Sequence, residues 1–99
     1  MKSLAAALLI VAASTAHAGD ILYTPNQANG AIVLTDVQGR CPARTQAYYT
    51  TDAFGQVASG GCWVYSNPWV YARNWDGNSH QYLIDNFIVT DYAKAKSQN

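Results

Sequence analysis

CWVYSNPWVYARNWDG, residues 62–77, holds three tryptophans and two tyrosines, opens on a cysteine and closes on an Asp-Gly pair. Ser66-Asn67-Pro68 interrupts a run otherwise suited to strand, because proline lacks the N–H that a ladder needs. Asp76-Gly77 predicts a two-residue type I′ hairpin turn, in which both residues take positive φ. The stretch therefore supplies the ends of two antiparallel strands, 56–65 and 69–75. Strand side chains alternate between faces. Even positions Cys62, Val64, Val70 and Ala72 read as a packed interior, and odd positions Trp63, Tyr65, Trp69, Tyr71, Arg73 and Trp75 as an aromatic face around one arginine. A three-residue link at 66–68 preserves this division. A four-residue link reverses it, setting Trp63 and Tyr65 opposite Val70 and Ala72 on one face, and the aromatic platform then disappears into a mixed core.

Working outward, AIVLTDV (31–37) is rich in β-branched and aliphatic residues and stops at Gly39 and Pro42, the pattern of a first strand. RTQAYYTT (44–51) suits a half-buried second strand, and DAFG after it places Asp and Gly as a type I turn does. Gly60-Gly61, inside the third strand, marks a bulge or sharp bend with close backbone approach. Residues 79–83 must return from the Asp-Gly turn, residues 84–87 look like one helical turn capped by Asp85, and 88–92 form a last short edge strand. The expected domain spans residues 31–92, preceded by an irregular leader (19–30) lying over it or loosely ordered and followed by a polar tail (93–99). The fold class is all-β: a small five-stranded antiparallel SH3-like barrel or bent meander with one disulfide. An open sheet covered by the leader is the competing arrangement.

Residues 1–18 carry one Lys, an apolar run from Leu4 to Ala13 and the triplet Ala16-His17-Ala18, the three-part layout of a Sec signal peptide cleaved after Ala18. The run is short for a transmembrane helix, which needs roughly twenty residues, and a weakly hydrophobic, uncleaved N-terminal anchor is the alternative. The expected compartment is the periplasm or the exterior, with no stable membrane insertion after cleavage. Residues 19–99 hold five Lys and Arg against six Asp and no Glu, a charge near −1, and these scattered cations build no basic stripe for nucleic acid. Two cysteines, Cys41 and Cys62, admit one pairing, and export makes that pairing a disulfide. Closing a loop of about twenty residues stabilises by roughly 3 kcal/mol, comparable to the ~3–5 kcal/mol that so small a core supplies.

Catalytic chemistry finds little support. His80 is the sole histidine after residue 18 and has no nucleophile placed beside it, reading instead as a strand residue near Asp76. Asp36, Asp52, Asp76, Asp85 and Asp91 each fit a turn or strand end. Neither zinc spacing, nor a calcium loop, nor a phosphate-binding glycine loop occurs, so no enzyme activity, metal or cofactor is expected.

Ile32–Asp36, Cys41-Pro42, Gly55, Gly61-Cys62-Trp63, Val70, Trp75-Asp76-Gly77, Tyr82 and Phe87 form a C…GCW…WDG pattern over residues 31–88. In that order the chain resembles a family of short, uncharacterised, signal-peptide-bearing proteins of phages and proteobacteria. The resemblance implies a disulfide between the two cysteines and an SH3- or Tudor-like barrel. The chain departs from the family at Trp69 and Tyr71 and in its longer C-terminal segment. Together these features suggest a phage- or prophage-encoded binding module that docks an envelope or periplasmic protein through the aromatic face. Peptidoglycan or carbohydrate binding, and burial of the same face in a homo-oligomer, are the alternatives.

Overall fold

A computed structural model describes residues 19–97; the expected signal peptide lies outside the described residues. Among the described residues seven strands, not five, form one antiparallel sheet: β1 (Asp20–Pro25), β2 (Ala31–Thr35), β3 (Gln46–Thr51), β4 (Val57–Ser66), β5 (Trp69–Asn74), β6 (Ser79–Leu83) and β7 (Ile88–Val89). Their order is β6-β5-β4-β3-β2-β1-β7, a meander whose last strand returns beside the first. Only residues 84–87 link the two edges. Such a link reaches about 17 Å, whereas seven flat strands would hold their edges about 29 Å apart. The sheet must therefore curl.

The expected leader is not irregular, because β1 pairs with β2 along its length and with β7 at Leu22 and Tyr23. Its alternation is broken by a bulge between Asp20 and Leu22, which hid the strand from a reading of periodicity. The Asn26 side chain secures the turn that follows. Its Oδ1 accepts from Ala28 and Gly30 N–H at 2.9 Å each, and its Nδ2 donates to the Thr51 carbonyl at 3.0 Å.

Three hairpin loops share one construction. Residues 26–30, 52–56 and 74–78 each close with an N–H from the first residue to the fifth carbonyl, at 3.1, 2.9 and 2.8 Å. The fourth residue of each, Asn29, Gly55 or Gly77, has positive φ. This is the three-residue loop with a left-handed fourth position. The type I′ expectation for Asp76-Gly77 is thereby corrected, since Gly77 alone is left-handed there and Asp76 instead accepts from Asn78 N–H at 3.0 Å.

β4 pairs with β3 from Val57 to Trp63 and with β5 from Gly61 to Ser66, serving two neighbours in turn. Gly60 and Gly61 mark close approach, as expected, but no bulge. A β-carbon on Gly61 would overlap the Arg73 carbonyl, while the irregularity of this hairpin sits at Thr50/Thr51. On the inner face Leu34 and Val70 are fully buried among Ile32, Tyr48, Trp63 and Ala72. Ile84, which opens the 3-10 turn Ile84–Asn86, and Phe87, which follows it, pack against this cluster, Phe87 meeting Tyr82 edge-on at 6.1 Å. Asp85 lies within that turn and does not cap it; the cap position is Leu83, without a side-chain bond.

Two further corrections concern the C-terminal part. The last strand is two residues long, and residues 91–97, read in part as a polar tail, form the helix α1 (Asp91–Ser97). Thr90 starts the helix: its hydroxyl accepts from Ala93 N–H at 3.1 Å, as a capping residue does, and donates to the Asp20 carbonyl at 2.5 Å. Lys96 then reaches Asp36 at 2.8 Å, fastening α1 to the loop after β2.

Candidate functional site

The cysteines bond as expected, with Cα atoms 5.7 Å apart. Cys41 is buried in the loop between β2 and β3, and Cys62 lies on β4 between Ala47 and Arg73. The bridge thereby pins that long loop against the outer side of the sheet, opposite the core.

Faces follow from register. Ser66 pairs with Trp69, leaving a two-residue link, so Trp63 stands opposite Ala72 and Tyr65 opposite Val70. Parity reverses across the turn, the second of the two arrangements read from sequence, but the aromatic surface does not disappear with it, since Tyr71 and Trp75 stay exposed on the other face. Trp63 is 7% exposed, and its indole N–H donates to the Thr35 carbonyl at 2.9 Å. Tyr65 shares the inner side but lies past Trp63, where β3 pairing ends, and stays exposed.

The outer face keeps Trp69, Tyr71, Arg73 and Trp75. Across the strands Trp69 faces Leu83, Tyr71 faces Val64 and Gln81, and Arg73 faces Cys62 and Ser79. Trp75 continues the row, donating its backbone N–H to the Gly60 carbonyl at 3.0 Å. Trp75 is 55% exposed, Tyr71 42% and Val64 40%, so the patch remains wet. Val64, read as interior by parity, belongs to it.

Arg40 is a member that the sequence reading missed. Its guanidinium lies 4.8 Å from the centroid of the Trp75 ring, an attractive cation–π arrangement. The disulfide carries the signal that could have found it, since Arg40 precedes Cys41 and Cys62 is opposite Arg73. A shallow hollow of about 470 Å³, with Cys62, Val64, Tyr71, Arg73 and Trp75 on its walls, runs along this row. Two arginines set beside partly exposed aromatic rings make a surface that can stack and hydrogen-bond.

A second hollow, about 560 Å³, opens beside α1 over Tyr23, Val33, Tyr49 and Ile88. Tyr49 donates to the Asp20 carboxylate at 2.7 Å on its floor; burial and then this bond push the phenol well above its usual range. His80 is exposed on β6 with its ring 6.3 Å from that of Tyr82. Among the described residues no group of three or more His, Cys, Asp and Glu could hold a metal ion, and no helix is long and apolar enough to cross a membrane.

Comparisons with family models, with curated proteins and with solved structures find no match to this chain.

Proposed function

We propose that this protein is an exported, non-enzymatic binding module of SH3-like type, phage- or prophage-encoded, acting in the periplasm or outside the cell. It docks an envelope protein through the outer face of Trp69, Tyr71, Arg73 and Trp75. Superinfection exclusion, lysis modulation and toxin neutralisation are roles such docking suits. One observation carries the reading: Tyr71 and Trp75 stay exposed and Trp69 half-buried beside two arginines, while the core is completed elsewhere by Trp63 and Tyr48. Exposed apolar and aromatic patches on a protein surface mark interaction sites.

Sugar stacking needs an open ring face, and Arg40 already occupies one face of Trp75, so protein docking is favoured over peptidoglycan binding. Capture from periplasmic extract by wild type and by Trp69→Ala/Tyr71→Ala, with both confirmed folded by thermal unfolding, tests the face. Loss of a specific captured protein is expected, and identical profiles overturn the assignment. Co-sedimentation with purified sacculi would replace it with the peptidoglycan reading. A stable oligomer at micromolar concentration that buries Tyr71 would replace it with the structural one.

A further inference from the structure

β6 is one edge of the sheet, paired with β5 alone. Asn74 N–H bonds to the Asn78 carbonyl at 2.8 Å and Ile84 N–H to the Pro68 carbonyl at 2.9 Å. Hydrogen-bonded pairs alternate along an antiparallel ladder, so the backbone of 78, 80, 82 and 84 faces β5. The N–H and C=O groups of Ser79, Gln81 and Leu83 point the other way, and no described residue meets them.

Native edges are usually blunted by shortness, a bulge, proline, lysine or a covering element. The opposite edge is protected in this way, since β7 has two residues and runs into α1. β6 has five residues in regular register, SHQYL, with none of these devices. Its side chains Gln81 and Leu83 extend the face that holds Tyr71 and Trp69.

Charge selects the occupant. Asp76 precedes β6 and Asp85 follows it; both are exposed, and the ion pair among the described residues is elsewhere, between Lys96 and Asp36. A second copy pairing antiparallel about Gln81 would set Gly77 opposite Asp85 at both ends, with Asp76 next along, crowding like charges. An extended segment with a cation at each end meets the same carboxylates with the opposite sign. We propose that β6 is a strand-addition site for an extended segment of a partner protein, about nine residues long with Lys or Arg at both ends. The proposal rests on reading the protein as a docking module and adds a second surface to the aromatic face.

The test uses 15N-labelled protein and the peptide Lys-Thr-Val-Thr-Val-Thr-Val-Thr-Lys. Exchange of the Ser79, Gln81 and Leu83 amides slows by about tenfold or more on binding. Replacing both terminal lysines with glutamate weakens binding by about tenfold, a gap that closes in about 0.5 M salt. Gln81→Pro removes an outward N–H without touching the β5 ladder, so protection is lost while the melting temperature holds. N-methylating alternate peptide residues gives the same loss with the protein unchanged. Trp69→Ala/Tyr71→Ala keeps protection of the three amides, which separates failure of the edge from failure of the face. Four results would each overturn the proposal: no slowed amides at millimolar peptide, indifference to N-methylation, equal binding of the glutamate-ended peptide, or a homodimer protecting the same amides.

Discussion

Gly61 stands where no side chain fits, because Arg73 and Asn74 of β5 occupy the space a β-carbon would take. Gly61→Ala must move backbone and is expected to cost about 3 kcal/mol or more. Gly39→Ala has nothing within 4 Å and meets only the strain of φ +54°, costing about 1–2 kcal/mol. Urea unfolding of the two variants distinguishes crowding from strain. Trp63→Phe keeps most of the packing but strips the Thr35 carbonyl of its indole donor, at about 1–3 kcal/mol by the same measurement. The close approach at Gly60-Gly61 was legible from the residues themselves. Burial of Trp63 was not, because its face depended on a difference of one residue in a turn. The phenols add a pH signature. Burial pushes Tyr48 up to about 12 and also raises Tyr49 and Tyr82, while an unfolded tyrosine ionises near ~10. A raised folded pKa means stability is intact below pH ~10 and is lost as pH climbs toward ~12. Urea midpoints equal at pH 8 and 9 but falling by pH 11 are expected; a flat profile would show these phenols to be solvated.

At the scale of the element, the repeated loop construction makes comparisons possible. Gly55→Ala and Gly77→Ala each force a β-carbon into left-handed backbone with open space around it, and about 1–2 kcal/mol of lost stability is expected for each. Asn29→Gly relieves the same strain at the corresponding position of the first loop and leaves stability unchanged or slightly raised. Denaturant unfolding of the three variants checks the pattern. α1 is held by side chains more than by its seven residues, since so short a helix does not persist alone. The Asp36 carboxyl lies below its ordinary range, chiefly through the hydrogen bond from Lys96. A lowered folded pKa places the stabilisation above the ordinary carboxylate value, and it disappears as pH falls through the lowered one. Amide exchange in 91–97 is therefore expected to quicken below pH ~3 and in high salt while β2 and β3 stay protected; unaltered exchange would mean that the Lys96 contact does not hold the helix. β6 was legible to its ends from the Asp-Gly signal and the return it demands. β1 and α1 were not, since a bulge disturbs the first and tertiary contacts make the second.

For the whole molecule, the Cys41–Cys62 bond closes a loop of sequence separation 21 and ties the β2–β3 connection to β4. Its loss removes roughly 3 kcal/mol, so dithiothreitol is expected to lower the melting temperature by more than about 10 °C in a domain this small. An unchanged melting curve would show the thiols unpaired. An all-β chain with one bridge was readable from strand-length runs, turn residues and two cysteines in a chain expected to be exported. β1 escaped because its outer pairing joins Leu22 to Val89 and Tyr23 to Ile88, contacts between distant parts of the chain that no local pattern announces. That seam also sets an order of events. As the polypeptide emerges from its amino end, β1 can zip to β2 at once, yet its other flank stays bare until residues 88 and 89 arrive. The nascent protein therefore carries an open, adhesive border while β2 to β6 are made, and only residues 88 and 89 seal it.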